Sequence, residues 1–333
     1  MTRRTVRLPG VILAGALSAG GLSACASSGH QVAEPAPDST AYPVVMEGQA
    51  TSILQAVDAT RVRAGQPGDS TATDPRIVGP FRQISLAEAK INAQRKKKAT
   101  TPATIKRVAL LVPAQTTWPR FFVAVGSTRD ESTYLLQVLT APNPRSPYGL
   151  WGQPVMLPGA SLPTVAAPAS GAAVVAPDAT GLVLTPRSVL TSYADYLNKN
   201  ARSKDARNFR RSVFSDQLAR ALSKDITTLK SVANVTSKHT VIKGDPFALR
   251  TEDGGALVIG ALTQDYTVTV KKGKGKVLIK DPDLAALSRG KKDVTKSFTR
   301  TAIEVLVFRV PRSGSGPITV MAAERGNVGA KLN

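Results

Sequence analysis

The stretch that decides the fold is ALVIGALTQDYTVTV, residues 256–270. Successive side chains of a strand point to opposite faces of a sheet, so residues two apart share a face. One face of this stretch collects Val258, Leu262, Tyr266, Val268 and Val270. The alternation predicts a long β-strand that packs one face against a core.

Further runs rich in β-branched and apolar residues predict the rest of the sheet. They lie at residues 108–112, 121–125, 133–139, 237–242, 277–279, 301–310 and 318–323. Residues 129–132, Arg-Asp-Glu-Ser, predict a hairpin connection. Residues 271–276, Lys-Lys-Gly-Lys-Gly-Lys, predict a turn after which the chain returns as a strand.

Apolar residues at helical spacing predict helices in both halves of the chain. In the first half, one helix begins near Glu47 and ends before Gly65, and a second runs through residues 80–95. In the second half, Thr185-Pro186 indicates a helix start, because a capping residue precedes a proline at the first helical position. A last helix places Phe214, Leu218, Leu222 and Ile226 in one row.

The N-terminus carries an export signal. Arg3, Arg4 and Arg7 precede an apolar run over residues 11–22, and small residues follow. Leu22-Ser23-Ala24-Cys25 resembles the lipobox of bacterial lipoproteins. The resemblance implies that residues 1–24 are removed and that Cys25, the single cysteine, carries a diacylglycerol. Residues 25–44 contain three Ser, three Pro and one Gly and few apolar residues, and they are expected to form a disordered tether.

Two other interpretations of the N-terminus stay open. The run could be a plain secretory signal, with Cys25 as an incidental thiol. It could also be an uncleaved anchor, but a spanning helix needs about 20 apolar residues and this run is shorter.

Together these features predict an α+β protein. Each half has the order helix, polar loop, helix and then antiparallel strands, and residues 80–95 correspond loosely to residues 213–228. This order resembles tandem NTF2-like (cystatin-like) domains, in which a curved antiparallel sheet wraps helices as a cone, and uncharacterised lipoproteins of actinobacteria. The resemblance implies two such domains, residues 45–184 and 185–333.

The charge of the chain is strongly positive and unevenly distributed. The net charge is +21 for the whole sequence and +18 without the signal peptide. Residues 25–185 carry +4 and residues 186–333 carry +14. A basic domain attracts polyanions. Because the chain is exported, anionic lipids or wall polymers are expected partners rather than nucleic acid; the charge could also serve solubility alone.

No catalytic, cofactor or metal motif is present in the sequence. His30 lies in the tether, and His239 is interpreted as an ordinary surface or strand histidine. A Gly-x-Ser-x-Gly elbow is missing. Tyr266 is expected to be a core tyrosine with its hydroxyl at the rim, and Asp265 and Tyr193 carry no assigned role. The one turn expected to contact anions contains Lys271, Lys272, Lys274 and Lys276.

The sequence therefore favours a membrane-anchored, extracytoplasmic lipoprotein with a non-enzymatic binding or scaffolding role in the cell envelope. It would reach the membrane through diacylglyceryl-Cys25 and contact anionic lipids, wall polymers or envelope proteins. Two alternatives remain: an enzyme with an acid or base inside a cone pocket, and a carrier or sensor for a small ligand.

Overall fold

The predicted strand at residues 256–270 forms with the bounds that its alternation indicates. It is β10, Ala256–Val270, and it pairs with β13, Ser297–Val310, from Ala256 opposite Val310 to Thr269 opposite Ser297. Its other edge pairs with β8, Ala233–Val241, and with β9, Phe247–Arg250. β10 therefore lies inside the sheet, with partners on both edges.

The computed structural model describes residues 40–64, 74–96, 104–128 and 133–333. The remaining strands of this part of the chain are β1 (Ile105–Leu111), β2 (Pro113–Ala114), β3 (Arg120–Thr128), β4 (Tyr134–Ala141), β5 (Gly149–Gly152), β6 (Val155–Met156), β7 (Ala172–Ala173), β11 (Val277–Leu278), β12 (Asp293–Val294) and β14 (Thr319–Leu332). The helices are α1 (Glu47–Ala64), α2 (Gly79–Gln94), α3 (Pro186–Lys199), α4 (Val213–Leu229) and α5 (Pro282–Leu287).

One antiparallel sheet runs through both halves of the chain. Its order is β1-β3-β4-β6-β14-β13-β10-β8, with β5 on β4 and β9 on β10. The link between the halves is short: Val155 and Met156 of β6 lie opposite Ala323 and Ala322 of β14. The last strand in sequence is thus a central strand of the sheet.

Capping residues explain where two of the helices begin. Ser188 donates its backbone N–H to Oγ1 of Thr185 at 3.2 Å, and Pro186 follows the cap, as the sequence predicts for α3. α4 begins in the same way, with the Ser215 N–H donating to Oγ of Ser212 at 3.2 Å.

Helices cover the two faces of the sheet at close range. On the face of α3 and α4, Gly260 of β10 lies beneath Leu190, and an added Cβ would stand 2.4 Å from Leu190 Cδ1. On the face of α2, an added Cβ on Gly326 of β14 would stand 2.6 Å from Ile84 Cγ2. Glycine at both positions lets the helices pack against the strand backbone.

The sheet is curved enough to bring distant strands into contact. Phe121 of β3 packs on Phe247 of β9 with ring centroids 4.8 Å apart, although several strands separate β3 from β9 in the sheet. A buried apolar cluster joins Leu136 and Val138 of the first half to Leu257, Ile259 and Val307 of the second. One core therefore belongs to both halves.

The two tandem NTF2-like domains expected from the sequence are not confirmed. Residues 40–333 form a single compact unit, and the residues on either side of position 184 share one sheet and one core. The loose correspondence of residues 80–95 and 213–228 does not carry over either, because α2 and α4 cover opposite faces of the sheet. The α+β class and the curved antiparallel sheet agree with the prediction.

A strand follows the lysine turn, as predicted, at Val277–Leu278. It pairs with β12 and not with β10, since Val277 lies opposite Val294. Because β10 already has β13 on one edge and β8 on the other, no edge of β10 remains for residues 277–279.

Candidate functional site

The predicted anion-contact turn belongs to a longer basic segment, residues 271–296, which we term the lysine segment. It connects β10 to β13 and contains the turn, the β11–β12 ribbon and α5. Nine of its residues are Lys or Arg and three are Asp, so its net charge is +6. A third of the positive charge of the chain beyond the signal peptide lies in this one connection.

All three carboxylates of the lysine segment have local partners. Asp281 accepts hydrogen bonds from the N–H groups of Asp283 and Leu284 and so caps α5. Asp283 pairs with Arg95 of α2, and Asp293 accepts from Nζ of Lys276 at 2.7 Å. These hydrogen bonds and ion pairs stabilise the conformation of the lysine segment.

The lysine segment presents its cations outward because its apolar residues face inward. Val277, Ile279, Leu284 and Val294 pack into an apolar cluster with Phe298 of β13. The exposed cations are Lys272, Lys274, Lys276, Lys280, Arg289, Lys291, Lys292 and Lys296. Strand alternation also places Leu278 outward between Lys276 and Lys280, with 52% of its surface exposed.

A second group of polar residues lies on the sheet beneath α4. We term it the polar cluster; its members are Ser237, His239, Gln264, Arg300, Glu304 and Arg325. Pairing register puts them together: Gln264 lies opposite His239, and Glu304 lies opposite Arg325. Gln264, His239 and Glu304 are buried, and Glu304 is 0% exposed.

Hydrogen bonds connect most of the polar cluster. The guanidinium groups of Arg300 and Arg325 both donate to Oε1 of Gln264, whose Nε2 donates to Oγ of Ser237 at 3.0 Å. Nε of Arg325 donates to Oε1 of Glu304 at 3.4 Å. Burial and the nearby Arg325 charge lower the pKa of Arg300 to about 10.

Comparison with known proteins places the chain in a family. The model of a domain of unknown function, DUF8094, matches residues 41–331. The chain belongs to the DUF8094 family. It is also similar to an uncharacterized lipoprotein of Streptomyces avermitilis, 26% identical over 300 residues that cover 87% of this chain and 86% of the relative. No solved structure matches the chain.

These similarities bear on two predictions. A single DUF8094 model matches the chain on both sides of residue 184, in agreement with the sheet that runs through both halves. The name of the Streptomyces relative fits the prediction of a bacterial lipoprotein of uncharacterised role. Cys25, the lipobox residues Leu22, Ser23 and Ala24, and His30 lie outside the described residues of this DUF8094 chain. No helix among the described residues is long and apolar enough to cross a membrane.

The other sequence-predicted residues fall in different places in the DUF8094 fold. Lys271 is half-buried, while Lys272, Lys274 and Lys276 are exposed. His239 is on a strand, as interpreted, but it is buried in the polar cluster rather than on the surface. Tyr266 is partly buried and donates its hydroxyl to Oδ2 of Asp225 at 2.7 Å, whereas Tyr193 is fully buried. Asp265 is exposed and accepts from Oγ1 of Thr301.

Of the polar cluster, the sequence interpretation singled out only His239; among the members that it missed, Glu304 has the clearest signal in the sequence. It interrupts residues 301–310, Thr-Ala-Ile-Glu-Val-Leu-Val-Phe-Arg-Val, a largely apolar run within β13. A carboxylate buried in such a strand needs partners, because burial of an unpaired charge is very costly. This single acid is the signal that points to a polar site on that face.

A groove on the same DUF8094 fold contains an internal ion pair. Its volume is about 560 Å³, and it is lined by residues 159–164 together with Glu252, Asp253, Arg309, Thr319 and Met321. Hydrogen bonds from Thr251 and Arg309 lower the pKa of Asp253 to about 2. Because the Arg309 guanidinium bonds to Asp253 at 2.7 Å, neither of these two charges is left over for a ligand.

Glu324 gives the DUF8094 fold a predicted pH dependence. Burial raises its pKa to about 7 and the nearby Glu88 carboxylate adds to this, whereas the Gln153 N–H and Arg61 oppose it. An unfolded Glu titrates near pH 4.3, so the folded state binds the extra proton between about pH 4.3 and 7. The free energy of unfolding should therefore fall as the pH rises through this window.

The substitution Glu324→Gln should remove that part of the pH dependence. Glutamine stays neutral and can still accept from the Gln153 N–H, a bond of 2.6 Å in the native chain. We expect nearly equal stability at pH 4, below the window, and a variant more stable by on the order of 3 kcal/mol at pH 8. Urea unfolding at several pH values measures this. Parallel curves for the two proteins would contradict the assignment.

Proposed function

We propose that this protein is a lipid-anchored, extracytoplasmic lipoprotein with a non-enzymatic binding role, and that it lays its lysine segment against anionic phospholipid headgroups. The observation that carries the proposal is the composition of that segment: it contains eight exposed cations and the exposed Leu278, and each of its acids has a partner. The lipobox and the name of the Streptomyces relative support the anchor.

Electrostatics alone gives such a surface useful affinity. A Lys or Arg near an anionic leaflet contributes about 1 kcal/mol, and the attraction falls off within a Debye length of roughly 8 Å at physiological salt. A lipid anchor would raise the local concentration of the segment at the membrane, so even weak contacts would orient the folded part.

Leu278 favours a lipid surface over a soluble anionic polymer. It stands outward between Lys276 and Lys280, opposite Asp293 on the β11–β12 ribbon. An exposed leucine among lysines gains from entry into the headgroup region, whereas a polymer in water offers it no apolar partner. Envelope proteins remain the other partner class expected from the sequence.

Removal of four of the eight exposed cations should strongly weaken binding to anionic vesicles. The suitable protein is the mature chain, residues 25–333, carrying Cys25→Ala so that it needs no detergent. Lys272, Lys274, Lys280 and Lys292 are exposed, and replacing all four with glutamine removes up to about 4 kcal/mol of attraction. We expect at least a tenfold loss of co-sedimentation with phosphatidylglycerol-containing vesicles, and little binding of either protein to phosphatidylcholine.

A matched variant controls for net charge. Arg145, Lys204, Arg207 and Lys243 are also exposed but lie outside the lysine segment, and their change to glutamine alters the net charge equally. This control should bind like the parent, and Leu278→Ser should bind several-fold less without a loss of stability. If both quadruple variants lose vesicle binding equally, the overall charge of the protein determines binding and the lysine segment has no specific role. Binding to polyphosphate but not to vesicles would favour a wall polymer.

A further inference from the structure

Strand β8 is the outermost strand at one end of the main sheet, and only one of its edges is paired. It lies next to β10, from Val241 opposite Leu262 to Ala233 opposite Val270, and no other described strand pairs with it. The N–H and C=O groups along an unpaired edge are available to another chain. The hydrogen bonds around β8 decide which of its residues present these groups.

The even-numbered residues of β8 direct their backbone groups toward β10. Directly beyond the two ends of the strand, the Ile242 N–H donates to the Ala261 carbonyl at 3.0 Å, and the Val232 carbonyl accepts from the Lys271 N–H at 2.9 Å. Successive residues of a strand direct their N–H and C=O groups to opposite edges. The odd-numbered residues of β8 therefore direct theirs away from the sheet.

One of these outward positions is already occupied by a side chain. Asn198 of α3 accepts the His239 backbone N–H through Oδ1 at 2.7 Å and donates from Nδ2 to the His239 carbonyl at 3.0 Å. The amide thus takes the place that a neighbouring strand would take, and it closes the edge at His239. At the other end of the strand, Ala233 is buried, with 2% of its surface exposed. The open stretch of the edge lies between these two residues.

Val235 and Ser237 present the open stretch, and both are partly exposed. Each carries one N–H and one C=O, so the edge offers four backbone groups. None of the four has a hydrogen bond within the described part of the chain, although the Ser237 hydroxyl accepts from Gln264. Two outward residues separated by one inward residue match the hydrogen-bonded pairs of an antiparallel ladder. The ligand that fits this chemistry is another polypeptide strand.

On its α4 face, an added strand would meet apolar surface. Ile226 of α4 has 45% of its surface exposed. It lines a cavity of about 190 Å³ together with Leu222 of the same helix and Ser237 of β8. Cross-strand pairs share a face, so the residues opposite Val235 and Ser237 would direct their side chains toward α4, beside this cavity. Its volume equals about six groups of roughly 30 Å³, enough for a leucine-sized side chain.

The opposite face of β8 determines the charge of the partner. Thr236 and Lys238 project from that face, and both are exposed. Lys238 lies opposite Asp265 of β10, but its ammonium group has no ion pair within the described residues. An acid on the added strand next to Lys238 would form a cross-strand ion pair. A second copy of this chain would instead add positive charge, because residues 186–333 carry +14, so an acidic partner fits better.

We propose that the open edge of β8 binds an extended segment of a partner protein as an additional antiparallel strand. The segment would direct apolar residues toward α4 and acidic residues to the face of Lys238. Such a segment is expected in an envelope protein, the other partner class that the sequence favours. The lysine segment takes no part in this pairing, so the edge does not depend on contact with phospholipid.

A short peptide with blocked ends, aspartate-leucine-aspartate-leucine-aspartate, tests the proposal. Its leucines would lie opposite Ser237 and Val235, and its first aspartate would lie opposite Lys238. The protein is the mature chain carrying Cys25→Ala, and binding is followed by NMR at the backbone N–H signals of β8. We expect saturable shifts of the Val235 and Ser237 signals. A peptide with lysine in place of each aspartate should bind at least tenfold more weakly.

Two N-methylated peptides show whether the backbone edge is the contact. In a hydrogen-bonded antiparallel pair, the two residues direct their N–H groups toward each other. The leucine N–H groups would therefore face β8, and the aspartate N–H groups would face away. Methylation of both leucine nitrogens should abolish binding, whereas methylation of two aspartate nitrogens should leave it nearly unchanged.

Two variants of the protein locate the site on β8. Ser237→Pro removes an outward N–H and should abolish binding; proline is tolerated on an edge strand where the N–H faces away from the sheet. If that variant fails to fold, Lys238→Glu decides, because it should weaken binding of the aspartate peptide at least tenfold and strengthen binding of the lysine peptide. Lys243→Glu is the matched control: Lys243 is exposed beyond the end of β8, and its change alters the net charge equally.

Several results would overturn the proposal. They are a lack of saturable binding of the aspartate peptide, equal effects of the two N-methylated peptides, equal binding of the lysine peptide, and unchanged binding by Lys238→Glu. Analytical sedimentation of the parent tests the other occupant, because a dimer that Ser237→Pro dissociates would assign the edge to a second copy of the chain. Vesicle binding by the lysine segment is measured separately, so neither result decides the other.

Discussion

Replacement of Phe308 by alanine is expected to destabilise both halves of the molecule together, by about 3–5 kcal/mol. Phe308 is 0% exposed on β13, and its ring meets that of Tyr193 of α3 in an edge contact with centroids 5.0 Å apart. The substitution removes these contacts and leaves a cavity beneath α3, because the surrounding sheet cannot fully relax.

The shared core determines whether the loss of stability caused by Phe308→Ala affects one half or both. Leu257, Ile259 and Val307 of the second half pack in one buried cluster with Leu136 and Val138 of the first. If the halves unfold as one unit, the substitution should shift every unfolding probe equally. Tandem domains would instead give two transitions, of which only one would move.

Two spectroscopic probes distinguish these outcomes. Both tryptophans, Trp118 and Trp151, lie in the first half, so fluorescence reports on that half. Circular dichroism reports on both halves, because α1 and α2 lie in the first half and α3 and α4 lie in the second. We expect coincident urea transitions for the native chain and an equal shift in both for Phe308→Ala.

The control for this experiment is Val213→Ala. Val213 is 47% exposed at the start of α4, so its truncation should change the stability by less than about 0.5 kcal/mol. A fluorescence transition that stays in place while the dichroism transition moves would disprove a single cooperative unit.

The second large effect concerns Cys25. Replacement of this residue by alanine should release the protein from the membrane fraction, because the lipobox resemblance assigns to it the thiol that carries the diacylglycerol. Two acyl chains give stable attachment, whereas the remaining charge attraction is weak and sensitive to salt. Cell fractionation in 1 M salt, where the Debye length is about 3 Å, separates the two contributions.

A nearby substitution controls for general effects on export. Ser27→Ala leaves Leu22, Ser23, Ala24 and Cys25 intact and should not change the membrane fraction. The intact mass of the native protein adds an independent test, since the chain should begin at Cys25 and include the mass of the lipid. A Cys25→Ala variant that stays on membranes in 1 M salt would contradict the anchor.

Local patterns predicted most elements of this fold but not how the elements meet. The alternation in residues 256–270 and the Thr185-Pro186 signal gave correct elements, because both depend on neighbours within a few residues. The strand pairing that joins the halves involves only Val155 and Met156 of the first half, which pair with β14 far along the chain. A run of two residues carries no periodicity, so pairing of this kind could not be anticipated.

The same limit applies to the two candidate sites. The lysine turn could be predicted from the sequence because its four lysines lie within six consecutive residues. His239, Gln264 and Glu304 are each a single polar residue within an apolar or mixed strand, and only the pairing register of β8, β10 and β13 brings them together.

The central place of β14 constrains the order in which the chain can acquire its structure. β14, Thr319–Leu332, follows every other described strand in sequence, yet it separates β6 from β13 in the sheet. A chain that is made from its N-terminus cannot complete the sheet between its halves until β14 has been made. Until then the edges of β6 and β13 lack their partner, so an exported chain would need protection from strand pairing with other molecules during this interval.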